Sequence, residues 1–350
     1  MTTEAGFGLD EAFPFHAEGV QTNRDALATD VDKEALRARL ARIADGSEPL
    51  QRSAHFDPER ARRELQLSLR HDPEALIGTL AYRPFEQRFY CTLAPLCHRP
   101  RASLARAVNA SELCLLSSRK EPGSAPWNMF ALSRTIADSS FLSVRSACRT
   151  RVFPSHDSDG APNLDARVSR VLCERIRSTP AVREVLLYVV GVLGAPSYRR
   201  EHAEALKRDY PRVPWPIDAA HFRAHVHAGE LFWRVLSQER VSQPTLVVCS
   251  TRRASERVSR RTLRWISPRQ LELCSGTEIG ARNARPFRAA VGHHELVARA
   301  YRSEESATIA AVHEACERGA MWVEAERAAD AAYQAASSVR RAAKDIAGGD

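Results

Sequence analysis

Apolar positions recur at helical spacing over Lys33 to Ala44, where Leu36, Leu40 and Ile43 share one face and Asp32 sits where an N-cap is useful. Asp57-Pro58 opens a second helix to about Arg70, with proline at the first position, where its missing N–H costs nothing. Asp72-Pro73 predicts a third, shorter one. From Leu80 to Leu93 aromatic residues and threonine fall at strand-like positions, and Leu113–Ser117 is a short apolar run suited to a buried strand. Phe130–Ile136 and Phe141–Val144 read as further strands. Residues 121–126 and 154–163 carry the proline, glycine and serine of surface loops. Val182 to Leu193 is almost wholly apolar and predicts a helix buried on most sides. Gly194-Ala195-Pro196 stops it, and Ser197 is placed to cap the next helix, Tyr198 to Asp209. Three prolines force Tyr210 to Pro216 to be extended. Asp218 then caps a long amphipathic helix to about Gln238. Beyond Arg240, Thr245–Cys249 and Thr262–Ile266 read as short strands, and residues 305–345 as helix. The first 30 residues look irregular, and there is no internal repeat.

These elements describe a mixed α/β chain of two or three parts: a helical stretch over 1–80, a mixed-sheet domain over 81–240 and a helix-rich C-terminal segment over 241–350. With 44% hydrophobic residues in 350, a sizeable core can be buried. No run approaches the ~18 apolar residues of a membrane span. The start lacks a basic stretch followed by an apolar one, so a cytoplasmic protein is expected.

A formal net charge of +8 favours a polyanionic partner, through release of condensed counterions. Only Lys33, Lys120, Lys207 and Lys344 are lysines, so arginine supplies nearly all the positive charge. A GC-rich genome gives the same bias, but the planar guanidinium also suits phosphate and guanine edges. The eight cysteines (91, 97, 114, 148, 173, 249, 274, 316) form no C-x-x-C pair, so neither zinc nor disulfides are expected.

Several chemistries leave no trace. There is no N-P-P or D-P-P loop for a flipped adenine, no G-x-x-x-x-G-K-[ST] loop for a nucleotide motor, and no D…E-x-K set for a nuclease. Gly6-Phe7-Gly8-Leu9-Asp10 echoes a cofactor-binding glycine loop, but no strand is predicted before it. His221 and His225 stand i,i+4 on one helix face, as zinc ligands do, with His227 nearby. Solvated histidines on an amphipathic helix account for them equally, and there is no H-E-x-x-H glutamate.

Four stretches remain. Gly19-Val20-Gln21-Thr22-Asn23-Arg24-Asp25 combines a glycine, a hydroxyl, an amide and a guanidinium, suited either to a phosphate or to a plain turn before the Lys33 helix. Tyr82-Arg83-Pro84-Phe85-Glu86-Gln87-Arg88-Phe89-Tyr90 interleaves two arginines with four aromatics; it fits a backbone-gripping surface or an amphipathic strand. From Trp127 to Pro154, polar side chains sit between short strands, including Ser133-Arg134-Thr135-Ile136-Ala137-Asp138 and Arg149-Thr150-Arg151-Val152-Phe153-Pro154. Leu187 to Arg199, continuing to Lys207 through Pro214, is scaffold.

In order and spacing these stretches resemble the C-terminal specificity region of type ISP restriction–modification enzymes and related adenine-specific DNA methyltransferase fusions. That family reads G-[VI]-x-T-N-R-D, then Y-R-P-F-[DE]-x-R, an I-x-D segment and F-P. An apolar helix pair ending in P-x-Y-R and a closing P-R-[IV]-P follow. The resemblance covers roughly residues 13 to 236. It implies a target-recognition domain for double-stranded DNA, in a system of phage defence, with residues 19–25 at the methyltransferase junction and about 82–160 as the reading surface. Because this chain lacks the catalytic motifs, S-adenosylmethionine is expected on a partner methyltransferase, within a separately encoded methyltransferase/nuclease subunit, and not on this chain. The DNA-contact candidates are Thr22, Asn23 and Arg24 to the backbone, then Arg83, Arg88, Arg119, Arg134, Arg149 and Arg151. Two departures stand out: the methyltransferase part is missing, and no W…G-G-Y segment follows the helix pair. Residues after about 240 read either as a diverged domain or as a tail translated after a frameshift. The alternatives are a degenerate remnant or protein-interaction module of such a system, and a metal-dependent hydrolase using His221 and His225.

Overall fold

The computed structural model describes residues 6–53, 56–121, 123, 126–237, 247–249, 255–267, 270–274, 277–281, 285–300 and 306–347. At its centre is a four-stranded antiparallel sheet in the order Ala17–Glu18, Thr150–Pro154, Cys114–Ser118, Phe130–Ser133. Cys114–Ser118 is flanked on both sides and buried at every position. Burial on both faces explains why Leu113 to Leu116 are apolar without alternation.

Two helices back this sheet. Val182–Leu193 is buried without interruption from Val185 to Leu193, and it crosses the long amphipathic helix Ala219–Leu236. The crossing is close because each helix offers a glycine. A Cβ on Gly191 would stand 2.1 Å from the His225 carbonyl oxygen, and one on Gly229 would stand 2.2 Å from that of Leu187. Glycine here removes a side chain so that two backbones can touch. Asp218 caps the second helix, accepting from the His221 amide at 2.8 Å, where the sequence placed it.

A smaller core joins the helices Lys33–Asp45 and Pro58–His71 to the hairpin Ile77–Arg83 and Glu86–Cys91, through Leu36, Leu40, Ile43, Ala61, Leu65 and Cys91. Asp32 accepts from Ala35 N at 2.9 Å, and Asp57 from Glu59 N at 3.1 Å, so both helix starts are set by their caps. The hairpin turns at Pro84-Phe85, with Phe85 at φ 60°.

Several expectations need correction. Asp72-Pro73 opens no helix: the Asp72 carboxylate accepts from both Glu74 N and Ala75 N at 3.1 Å, closing a turn, and the chain enters the sheet at Ile77. Phe141–Val144 is not a strand, because its backbone is claimed elsewhere. Leu142 N donates to the Thr150 hydroxyl at 2.9 Å, and Leu142 O accepts from His293 N at 2.8 Å. The helix expected over Tyr198–Asp209 is broken at His202 into Pro196–Glu201 and Ala203–Leu206. Its first residue is Pro196, and the Ser197 amide donates to Asp330. A helix at Ala166–Ile176, capped by Asp165, was not anticipated. Nor was the strand Gly6–Gly8, which pairs antiparallel with the extended Arg212–Pro214.

The C-terminal stretch contains a second four-stranded antiparallel sheet, ordered Val247–Cys249, Thr277–Ala281, Gln270–Cys274, Arg264–Ser267. The expected helix is present as Ile309–Ala347. Its Trp322 packs against Phe130 at 5.4 Å and Phe232 at 4.7 Å between ring centroids, which ties the end of the chain to the main core. Residues 245 and 246 of the first predicted C-terminal strand lie outside the described residues. No described helix is long and apolar enough to cross a membrane.

Candidate nucleic-acid interface

The segment from Gly19 is laid into the fold by its backbone. Val20 N donates to Ala137 O and Ser139 N to Val20 O, both at 2.8 Å. A Cβ on Gly19 would meet Ala137 O at 2.3 Å, so only glycine fits. Thr22 is buried, and its hydroxyl bonds the Asp25 carboxylate. Asp25 also accepts from the Tyr82 hydroxyl at 2.7 Å, and burial with this bond pushes the Tyr82 phenol up to about 12. Asn23, at φ 55°, turns the chain and is exposed. Arg24 lies with its guanidinium 4.3 Å from the centre of the Phe56 ring, and burial holds its pKa below the usual value. Asn23, Arg24, Gln51 and His98 line an open cavity of 680 Å³.

A cluster not anticipated from sequence adjoins this loop. Gln21 and Arg99 form an antiparallel bridge, which brings the basic run His98-Arg99-Pro100-Arg101 beside the sheet edge. Arg101 bonds Glu18 at 3.2 Å, Arg151 stands 3.9 Å from it and Arg99 4.0 Å. Three guanidiniums therefore share one carboxylate, which leaves the edge net positive. Burial, then the field of Arg151, depresses the pKa of His16 next to it. The signal was legible as the basic run itself; its meeting with Glu18 and Arg151 is a product of the fold.

The remaining candidates divide by what already holds them. Arg83 donates to Asp138 at 2.8 Å; Asp138 is buried and the Arg83 side chain is only 13% exposed. Burial raises the Asp138 carboxyl above the usual carboxylate range despite the arginine. Arg88 pairs with buried Glu86 at 2.7 Å, and Glu86 also receives Arg299. Arg83 and Arg88 lie 4.0 and 3.8 Å from the centre of the Tyr82 ring. Arg83 thus binds the hairpin to the Asp138 segment, while Arg88 braces it from within. Arg119 forms an exposed pair with Asp209, Arg149 donates to the Ser139 hydroxyl, and Arg134 is exposed over Trp233.

The His221 and His225 rings stand 4.7 Å apart on one helix face, packed against Tyr188, with His225 fully buried. Among the described residues no group of three His, Cys, Asp or Glu side chains is placed to hold a metal ion. Burial pushes the Cys97 thiol up to about 12, which makes it a core group and a poor ligand. The Gly6–Gly8 stretch does not fit a cofactor loop. A Cβ on Gly6 would meet Val213 O at 2.2 Å, so this glycine serves strand contact.

Fold and site together give a sheet backed by crossed helices, with an arginine-rich edge. The chain belongs to the family described as the type ISP C-terminal specificity domain, whose model matches residues 11–271. Its fold is similar to that in the cryoEM structure of the DrdV–DNA complex, with TM-score 0.65 and 16% identity over 91% of this chain and 35% of that one. It is also similar to the ATP-dependent type ISP restriction–modification enzyme LlaBIII bound to DNA, with TM-score 0.65 and 13% identity over 93% of this chain and 24% of that one. A third likeness is to a nuclease-deletion mutant of the type ISP enzyme LlaGI in complex with a DNA substrate mimic, with TM-score 0.61 and 12% identity over 92% and 28%. The chain therefore spans about a third of these proteins or less. The search of curated proteins found no match.

Proposed function

We propose that this chain recognises a target sequence in duplex DNA for a type ISP restriction–modification system. The observation that carries the reading is the gathering of Arg99, Arg101 and Arg151 around the single carboxylate of Glu18, beside the Asn23–Arg24 loop. Such a surplus of guanidiniums on a partly exposed sheet edge suits phosphate contacts, which position a protein on the duplex while other side chains specify the sequence. The family match and the DNA-bound neighbours of similar fold support it.

Modification then requires a methyltransferase, and restriction a nuclease. S-adenosylmethionine binding and adenine extrusion fall to that partner, proposed to be a separately encoded subunit. The Thr22–Asp25–Tyr82 network, which stiffens the loop after Gly19, is the proposed side of this chain toward it.

The test is duplex binding across a salt series, for the wild type and for Arg99→Ala/Arg101→Ala/Arg151→Ala. Each phosphate that the variant no longer neutralises should flatten the slope of log K against log salt by about 0.9. A triple variant with the wild-type slope and affinity would remove this edge from the interface.

A further inference from the structure

Arg134 differs from Arg83, Arg88 and Arg119 in what holds it. It follows the edge strand Phe130–Ser133, at a corner stiffened by Ser133. The Ser133 hydroxyl donates to Thr135 O at 2.8 Å and accepts from Thr135 N at 3.1 Å. The Arg134 side chain is exposed, and its guanidinium lies 5.0 Å from the centre of the Trp233 ring. No carboxylate among the described residues pairs with it. Arg83, Arg88 and Arg119 are each engaged by an acid.

The surroundings suit a nucleic-acid edge. Arg134 helps line a pocket of 160 Å³ together with Gln87, Thr135, Phe85, Leu132 and Trp233. The acids nearby are already neutralised: Glu86 by Arg88 and Arg299, Asp138 by Arg83. The local field is therefore positive. An indole face restrains the guanidinium without consuming its N–H donors, so less rotamer freedom is lost when it binds.

We propose that Arg134 is a base-reading residue, which selects guanine by paired hydrogen bonds to O6 and N7 in the major groove. This rests on the proposed DNA function and adds to it the residue and the base. Arg99, Arg101 and Arg151 then position the duplex, and Arg134 reads it.

The experiment is selection of the full chain on a randomised duplex pool, with the wild type, Arg134→Ala and Arg134→Lys compared, and a thermal melt of each. Arg134→Ala should lose a guanine preference of about tenfold to a hundredfold at one position. Preferences elsewhere and the melting temperature should stay near wild type. Arg134→Lys keeps the charge but not the fork, so general affinity should hold while the guanine preference falls. An Arg134→Ala variant that selects the wild-type motif overturns this inference alone, as does one that loses preference evenly at all positions. A wild-type chain that enriches nothing overturns the inference together with the proposed function.

Discussion

Replacing Arg83 by alanine separates a structural arginine from a DNA-contacting one. The Arg83–Asp138 pair is 2.8 Å long and almost completely buried. At an effective dielectric of about 20, two unit charges so placed attract by roughly 6 kcal/mol before desolvation is subtracted. Losing one partner of a buried pair costs about 3–5 kcal/mol, because the other charge is stranded. Asp138 keeps one donor, Ser140 N at 2.8 Å, and its raised pKa lets it take up a proton. Both soften the loss, which places Arg83→Ala near the low end, at about 3 kcal/mol. A chain of this length should then melt roughly 4 °C lower. Circular dichroism melts of the wild type, Arg83→Ala, Asp138→Ala and the double variant give the coupling, expected at about 0.5–3 kcal/mol for groups in contact. If Arg83→Ala melts like the wild type but loses DNA affinity, the pair is not structural and the reasoning fails.

Gly191→Ala gains about 1 kcal/mol of helix propensity but drives a methyl into the His225 carbonyl, which cannot rotate aside; overpacking of about 1–3 kcal/mol should win, and a urea midpoint at or above wild type would show that the helices can part. His294 is largely buried and its pKa is lowered to about 4 from 6.5, first by burial and then by Arg299 and Arg83. Between those values the unfolded chain binds the proton and the folded one does not. Its contribution is therefore full above about pH 6.5 and lost as the pH falls toward 4. Melting temperatures from pH 4 to 7 should flatten in His294→Gln, and an unchanged profile would exclude His294 as the source. Arg24→Ala should weaken binding to all duplexes alike, as a phosphate contact does; a change of preference at one position in pool selection would contradict that assignment.

The scaffold was more legible in the sequence than the site. Val185–Leu193 and Leu113–Leu116 announce themselves because burial on every side leaves an apolar run without polar interruption. Ala166–Ile176 was missed because only Val168, Leu172 and Ile176 are buried, while Arg167, Arg170 and Glu174 crowd its outer face. The Tyr82–Arg88 stretch shows which residues it contains but not that Asp138 claims Arg83. Charge pairing between distant segments carries no local sequence signal. The same reason hid the edge cluster, since Glu18 and Arg101 meet only through the bridge of Gln21 to Arg99. Nor does periodicity reveal that Arg134 would come to rest on Trp233.

The most direct test of the account is selection of the unmodified chain on a randomised duplex pool at near-physiological salt. It should enrich one short motif, bound at least about a thousandfold more tightly than random duplex. Retention of the pool without enrichment, or no retention at all, would contradict sequence recognition by this domain.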